Sequence, residues 1–399
     1  MSKKKKKWMR FRHHVVRNLA YVVMYPYSRL KYGVTIERMK NQQNRPYLIL
    51  LNHQTVFDQF FVGMAFKGPV YYVATEDIFS LGWVSSLIRY LVAPIPIKKQ
   101  TTDIQAVRNC YRVAKEGGTI AIAPEGNRTY SGKTEYMNPA IASLAKTLNL
   151  PIAFFRIEDG YGVQPRWCDN VRKGKMRAYF SRVIMPEDYK EMSNDELYEV
   201  IQKELFVNDA KVTTNFYHKK NAEYLERLLY VCPHCGLSTF ESHDDKVRCT
   251  RCNRTVQYLP SKELKGVGFD LPFQFVNDWY EYQKDFVNQL DLNEYIDEPM
   301  YVEQASFSEV VVYKNKNLIK KDAVIELYGD RVLIDEMEFP FTEVTAVTVL
   351  GRNKLNIYHD KKVYQLKGDK RFNAIKYVHM YYRYKNIKKG EGNEQFLGL

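Results

Sequence analysis

The stretch LILLNHQTVFDQFFVG at residues 48–63 passes from four aliphatic residues directly to a histidine and a carboxylate. Four consecutive aliphatic residues predict a buried β-strand that ends at Leu51. On a continuous helix, side chains five positions apart point about 140° away from each other, so His53 and Asp58 could not pair there. We therefore expect His53 on a loop and Asp58 in the first turn of a helix that begins near Thr55. The Asp58 carboxylate can then accept a hydrogen bond from the imidazole and leave the other ring nitrogen free as a base.

An isolated histidine and aspartate at this spacing also fit a helix-capping cluster, so the surrounding chain has to decide between the two interpretations. Between about residues 46 and 209, short apolar runs alternate with amphipathic segments, which predicts an α/β domain. The predicted strands are YLILLN from Tyr47, VYYVAT from Val70, APIPI from Ala93, TIAIAP from Thr119, PIAFFRI from Pro151 and KMRAYFSRVI from Lys175. Helices are predicted from Asp103, Asn138 and Ser193.

A second polar turn follows the strand TIAIAP, in the stretch PEGNRTYSG. It places Glu125 and Arg128 on a strand-exit loop, where Gly126 permits close approach of the backbone. An arginine can hold a phosphate through a forked pair of hydrogen bonds. A turn of this composition is also compatible with an ordinary hairpin.

Together, NHQTVFD and PEGNRT resemble the motifs of the glycerolipid acyltransferase family typified by 1-acylglycerol-3-phosphate acyltransferase, over about residues 47–209. The resemblance implies that His53 and Asp58 are catalytic. It also implies that one group of residues binds the phosphate-bearing acyl acceptor: Glu125, Gly126, Arg128 and Lys98. This chain departs from the usual pattern at several positions: Thr55 for Ser, Lys98 for Arg, and Ala123, Asn127 and Thr129 around the Glu–Gly and the Arg.

The family resemblance implies an O-acyltransferase of phospholipid biosynthesis. Such an enzyme moves a fatty acyl group from a thioester, either acyl-CoA or acyl carrier protein, to the free hydroxyl of a lysophospholipid such as 1-acyl-glycerol 3-phosphate. The departures leave glycerol 3-phosphate or a phosphate-free lipid open as the acceptor. A different class of function is a zinc-ribbon scaffold that binds nucleic acid or protein, but the intact His53 and Asp58 argue against a degenerate catalytic domain.

Four of the six cysteines form two CxxC pairs separated by thirteen residues: Cys232, Cys235, Cys249 and Cys252. Four thiolates in two such turns predict one tetrahedral zinc ion, which is structural because no coordination position stays open. Basic residues surround the second pair, and they make a nucleic-acid role an alternative for this module: Lys246, Arg248, Arg251 and Arg254. We nevertheless do not expect nucleic acid as a partner. Cysteine usage of this kind indicates a reducing compartment.

The N-terminal segment is strongly basic, with ten Lys or Arg residues and no acid among residues 1–36 of the 399-residue chain. Aromatic and aliphatic residues are interleaved with these charges, as expected for a helix that lies in the headgroup region of an anionic membrane. A solvated lysine tail followed by a core helix, or a nucleic-acid arm, are the alternatives. We expect a cytoplasmic protein that is peripheral on the inner face of the cell membrane.

Composition along the chain predicts six regions. They are a basic membrane-associating segment at 1–40, the acyltransferase domain at 41–212, a zinc ribbon at 228–260, an aromatic helical connector at 261–300, a β domain at 301–388 and a tail at 389–399. The last domain resembles a pleckstrin-homology-like β-barrel capped by one helix, by the order of its elements only. An unrelated small β domain is the alternative.

Overall fold

The computed structural model describes residues 7–75, 78–79, 82–97, 103–211, 214–311 and 316–390. These residues form two compact units. The N-terminal unit lies within residues 7–163 and 173–209, and the C-terminal unit within residues 164–172, 210–311 and 316–390. The nine residues 164–172 fall inside the predicted acyltransferase span but belong to the C-terminal unit.

The N-terminal unit is built on one seven-stranded sheet. Its strands are β1 (Val34–Ile36), β2 (Leu48–Leu51), β3 (Val70–Thr75), β4 (Ile95–Ile97), β5 (Thr119–Ile122), β6 (Ile152–Glu158) and β7 (Met176–Ile184). The strand order is β1-β7-β6-β2-β5-β3-β4, and the paired strands run parallel except for β6 and β7. All six predicted strands are present, which confirms the α/β prediction, and β1 is additional.

Eight helices of this unit are described. They are α1 (Phe11–Tyr32), α2 (Asp58–Ala65), α3 (Trp83–Leu91), α4 (Ile104–Lys115), α5 (Ala140–Leu148), α6 (Gly160–Val163), α7 (Pro186–Tyr189) and α8 (Asn194–Leu205). Local capping explains two of the predicted starts, because Asp103 accepts a hydrogen bond from the N–H of Ala106 and Ser193 forms a capping box with Glu196. Helix α2 begins at Asp58, three residues later than predicted, because Thr55 to Phe57 form a turn.

The helices cover both faces of the sheet. Side chains that alternate along the strands, such as Leu48, Leu50 and Phe154, join one buried cluster with residues of α4, α5 and α8. On the other face of the sheet, the ring of Phe180 contacts the rings of Phe155 and Phe66. Phe66 is the residue that follows α2. Helix α1 packs against α2 and α3.

The sheet order places the loops that contain His53 and Glu125 next to each other, at the carboxyl ends of the parallel strands. Strands β2 and β5 are parallel neighbours, with Leu50 opposite Ile122. Their carboxyl ends therefore lie side by side, and the loops that follow them carry His53 and Glu125. Open α/β sheets generally bind ligands at this edge.

The C-terminal unit begins with a small β module around the cysteine pairs. Its strands are β8 (Val231–Cys232), β9 (Gly236–Leu237), β10 (Phe240–His243), β11 (Lys246–Cys249), β12 (Thr255–Tyr258) and β13 (Leu264–Gly266). Strands β8 and β9 form one hairpin, and β10 to β13 form an antiparallel four-stranded sheet. The predicted connector helix is confirmed as α9 (Val276–Gln289), whose Trp279 donates a hydrogen bond to the carbonyl of Val231.

The remainder of this unit is a seven-stranded antiparallel sheet followed by one helix. Its elements are β14 (Tyr301–Glu309), β15 (Asn317–Leu327), β16 (Arg331–Ile334), β17 (Met337–Pro340), β18 (Ala346–Leu350), β19 (Lys354–His359), β20 (Lys362–Lys367) and α10 (Ile375–Lys389). The order β17-β16-β15-β14-β20-β19-β18 curves the sheet into a half-barrel, and no pairing between the described residues joins its two edge strands. The predicted succession of strands and a final helix is confirmed.

Two short 3₁₀ helices, Leu225–Arg227 and Leu292–Tyr295, complete the elements described here. Within the described parts of the chain, we find no helix that combines the length and the apolar character needed to cross a membrane.

Candidate active site

His53 and Asp58 form a direct hydrogen bond at the end of β2. The Nδ1 atom of His53 lies 2.7 Å from Oδ2 of Asp58. The aspartate side chain is 1% exposed, whereas the histidine side chain is 26% exposed. One ring nitrogen is therefore held by a buried carboxylate, in an imidazole that solvent and ligands can reach.

Asp58 also organises the turn that carries the histidine. Its carboxylate accepts hydrogen bonds from the backbone N–H groups of Gln54 and Thr55 and from the Thr55 hydroxyl, at 2.6 to 3.0 Å. A serine hydroxyl could make the same bond, so the change from Ser to Thr at this position keeps the donor. These bonds hold the carboxylate in one orientation, facing the imidazole.

The loop after β5 holds the backbone of His53 on both sides. Oε1 of Glu125 accepts a hydrogen bond from the N–H of His53 at 2.8 Å, and the N–H of Thr129 donates to the His53 carbonyl at 3.1 Å. The other oxygen of Glu125 accepts from the N–H of Glu135 at 3.2 Å. The two motifs, 72 positions apart, thus form one constellation in which Glu125 contacts the backbone of His53.

The environment of Glu125 disfavours its charged form. Burial raises the pKa of Glu125 to about 8, although the backbone N–H groups of His53 and Glu135 act in the opposite direction. Glu135 and Asp58, both carboxylates, contribute to the increase. A largely neutral Glu125 would add little negative charge beside a phosphate-bearing ligand.

The remaining residues of the second motif lie on the same loop. Gly126 has a φ of +69°, a left-handed conformation that a side chain would strain. Arg128 is buried and directly precedes Thr129, whose N–H contacts His53. The structure therefore brings His53, Asp58, Glu125, Gly126 and Arg128 to one edge of the sheet. The predicted site residue Lys98 lies outside the described residues.

Two neighbouring residues were not recognised from the sequence. The side-chain amide of Asn52 pairs with both the N–H and the carbonyl of Ile157 at 2.8 Å, which fixes the end of β2 to β6. At Gly160, a Cβ atom would lie 2.7 Å from Cβ of Gln54, so α6 packs directly on the turn that carries His53. Asn52 stands next to His53 and could have been suspected, whereas nothing in the local sequence marks Gly160.

A second constellation lies in the C-terminal unit, where four cysteine sulfurs lie within 4.8 Å of one another: Cys232, Cys235, Cys249 and Cys252. The separation is 3.7 Å between Cys232 and Cys252 and 3.6 Å between Cys235 and Cys249, far longer than a disulfide bond. Four sulfurs at about 2.3 Å from a tetrahedral zinc would be separated by roughly 3.8 Å. The geometry of the four sulfurs thus fits one zinc ion.

Comparison with known proteins finds a family that part of the N-terminal unit resembles. Residues 33–157 match the family model described as Acyltransferase. This segment includes β1 to β5, the His53–Asp58 pair and the loop that carries Glu125 and Arg128. The chain is similar here to proteins named 1-acyl-sn-glycerol-3-phosphate acyltransferase.

Two curated relatives carry that name. The chain is 24% identical over 147 residues to the chloroplastic 1-acyl-sn-glycerol-3-phosphate acyltransferase LPAT1 of Arabidopsis thaliana, which covers 35% of this chain and 38% of the relative. It is 21% identical over 184 residues to the corresponding protein BAT2 of Brassica napus, covering 44% and 51%. The chain therefore spans only about half or less of these relatives.

Among solved structures, a match is found to the 1-acyl-sn-glycerophosphate acyltransferase PlsC of Thermotoga maritima. The TM-score is 0.39 at 20% identity, over 48% of this chain and 74% of that chain.

Proposed function

We propose that this protein is a peripheral membrane O-acyltransferase of phospholipid biosynthesis. It transfers a fatty acyl group from a thioester, acyl-CoA or acyl carrier protein, to the hydroxyl of a lysophospholipid such as 1-acyl-glycerol 3-phosphate. The observation that carries the proposal is the His53–Asp58 hydrogen bond, on a turn that Glu125 and Thr129 hold beside Arg128.

The chemistry needs one base. Because Asp58 accepts from Nδ1, the Nε2 atom of His53 is available to take the proton of the acceptor hydroxyl. The hydroxyl oxygen attacks the thioester carbonyl carbon, the carbon–sulfur bond breaks, and the departing thiolate receives the proton from the imidazolium. The products are an ester and a free thiol, and the buried Asp58 carboxylate stabilises the imidazolium formed on the way.

Acceptor recognition is assigned to the loop after β5. Arg128 offers a forked cation to the acceptor phosphate, with Lys98 as a second cation, and Gly126 allows the ligand to approach the backbone. The raised pKa of Glu125 supports this assignment, because a neutral side chain does not repel a phosphate.

Docking to an anionic membrane surface is assigned to α1. The side chains that this helix buries are His13, Ser28 and Tyr32, whereas Phe11, Leu19, Val22, Val23 and Leu30 are exposed. An apolar exposed face on a helix without acidic residues suits a bilayer interface on the cytoplasmic side. Tyr27 and Tyr32 contact Phe57, next to Asp58, so a membrane surface at α1 would lie close to the catalytic turn.

The C-terminal unit has a supporting role in this proposal. One structural zinc ion held by Cys232, Cys235, Cys249 and Cys252 stabilises the ribbon, and the half-barrel with α10 corresponds to a pleckstrin-homology-like domain.

The decisive experiment measures thiol release from an acyl thioester by the purified full chain in detergent, with lysophosphatidate, glycerol 3-phosphate and a phosphate-free lipid alcohol as acceptors. Turnover with lysophosphatidate that His53→Ala abolishes supports the proposal. An absence of turnover with every acceptor refutes it. Docking is tested separately by sedimentation with phosphatidylglycerol vesicles, where Leu19→Ser and Val23→Ser should each weaken binding.

A further inference from the structure

Helix α3 exposes large apolar side chains and buries a polar one, the reverse of the usual distribution. Its buried residue is Ser85, whose hydroxyl donates to the carbonyl of Ile78. Its large side chains Trp83, Leu87 and Tyr90 are 77%, 44% and 58% exposed. These three positions follow the i, i+4, i+7 spacing, so they share one face of the helix.

Such a face is unusual on a soluble surface. Single exposed apolar residues need no explanation, but a helix that turns its tryptophan, leucine and tyrosine outward and its serine inward exposes a contiguous apolar surface. Trp83 does not contribute to the core of the N-terminal unit in this position. The exposed face of α3 is therefore a candidate contact surface.

The residue composition around the exposed face of α3 indicates what kind of partner would bind there. The sequence from Ile78 to Thr102 contains no acidic residue and includes Arg89. Tryptophan and tyrosine beside arginine and lysine are the side chains that prefer the headgroup region of a bilayer. The absence of acids complements an anionic surface.

The face also continues the exposed side of α1. Arg12 of α1 donates to the carbonyl of Tyr90 at 2.7 Å, and its guanidinium lies 4.1 Å from the centre of the Tyr90 ring. Trp8 donates to the carbonyl of Ala93 at 2.9 Å. These contacts link the N-terminal end of α1, where Phe11 is exposed, to the C-terminal end of α3.

We propose that α3 is a second membrane-inserting element, which places Trp83, Leu87 and Tyr90 in the interface of an anionic bilayer beside α1. The inference rests on the membrane docking in the proposed function and extends it to a helix outside the basic N-terminal segment. It does not depend on the acyl transfer chemistry.

The tryptophans of the chain make the inference directly measurable. Of the four, Trp167 and Trp279 are at most 2% exposed, and Trp8 is partly buried. Brominated acyl chains quench tryptophan fluorescence only at contact range. The probe is therefore a vesicle of phosphatidylglycerol and phosphatidylcholine in which the phosphatidylcholine carries dibrominated chains.

We expect these vesicles to quench the wild-type fluorescence, and Trp83→Phe to lose most of the quenching while keeping vesicle affinity. Trp83→Ser should weaken vesicle binding about tenfold, because an apolar anchor of this size contributes about that factor. The matched control is Phe206→Ser, an exposed aromatic residue at the end of α8, in the helix layer on the other face of the sheet from α2. It should bind vesicles like the wild type. Thermal unfolding confirms that each variant is folded.

Equal quenching of the wild type and Trp83→Phe, with vesicles bound, would overturn the role of α3 and leave docking by α1 intact. A dimer in solution that protects Trp83 from a soluble quencher would overturn it in favour of a second copy of the chain. Absence of vesicle binding would overturn both docking assignments, whereas acyl transfer in detergent would still report on the chemistry.

Discussion

The substitution Asp58→Asn is a direct test of the proposed chemistry, because it keeps the shape of the side chain and removes its charge. Four donors face the carboxylate: the imidazole of His53, the N–H of Gln54, and the N–H and hydroxyl of Thr55. An asparagine amide has only one oxygen, so its NH₂ group must face at least one of these donors. The tautomer of His53 that leaves Nε2 as an acceptor is then no longer favoured.

The expected loss follows from the role of the base. A positioned general base contributes about 10²- to 10⁴-fold to the rate, so kcat should fall by about that factor. A buried donor without a partner also destabilises the fold by about 1–3 kcal/mol. Because folded proteins are generally stable by about 5–15 kcal/mol, the variant should remain folded and the lost rate should reflect chemistry.

The assay is the initial rate of thiol release at varied lysophosphatidate concentration, with thermal unfolding of the same preparations. Gln59→Ala is the matched control, because Gln59 is the next residue along and its side chain bonds only the Val56 carbonyl among the partners described. It should retain kcat. An Asp58→Asn variant that raised the acceptor KM at unchanged kcat would contradict the assigned role of Asp58.

Further substitutions test the remaining assignments. Arg128→Ala should raise the KM for lysophosphatidate about 10- to 100-fold, because a charge-assisted hydrogen bond contributes about 1.5–3 kcal/mol. The KM for a phosphate-free acceptor should not change. Equal losses with both acceptors would exclude a phosphate contact. Burial raises the pKa of Glu125 from 4.5 to about 8 in the folded state. Between these two pH values the unfolded chain loses this proton more readily than the folded chain, so the free energy of unfolding falls as the pH rises. Glu125→Gln should therefore show a shallower decline of the unfolding free energy than the wild type over this range in denaturant titrations, and parallel curves would speak against a buried, titrating Glu125. Cys235→Ser should reduce the bound zinc, measured by elemental analysis, from about one ion per chain and should lower the unfolding temperature. The control Cys110→Ala, outside the cluster, should keep the metal. Zinc retained in Cys235→Ser would show that Cys235 is not a ligand.

Much of the N-terminal unit was accessible from local sequence patterns. Period-2 and continuous apolar runs located all six expected strands, and the caps Asp103 and Ser193 located two helix starts. Helix α2 starts at Asp58, three residues later than expected, and the Asp58 carboxylate accepts hydrogen bonds from the turn that precedes it.

The roles of the motif residues were less accessible. Substrate binding by Glu125 stays a prediction, whereas the contacts of its carboxylate with the backbone N–H groups of His53 and Glu135 could not be inferred from the sequence. A side chain that acts on the backbone leaves no residue pattern at its target, since every non-proline residue presents the same N–H. The packing of Gly160 on Gln54 is equally invisible, because it depends on where β6 lies in the sheet.

The sequence alone therefore predicted six strands of the N-terminal sheet, the His53–Asp58 pairing across a strand-to-helix turn, and the four-cysteine set. Each of these depends on residues close together in the chain, where spacing dictates geometry. Only the tertiary structure decided that β5 lies beside β2, which joins Glu125 and Thr129 to His53, and that α3 turns Trp83 outward and Ser85 inward. The pairing of parallel strands and the exposed side of a helix are set by contacts between distant segments, and a local pattern does not record which segments will meet.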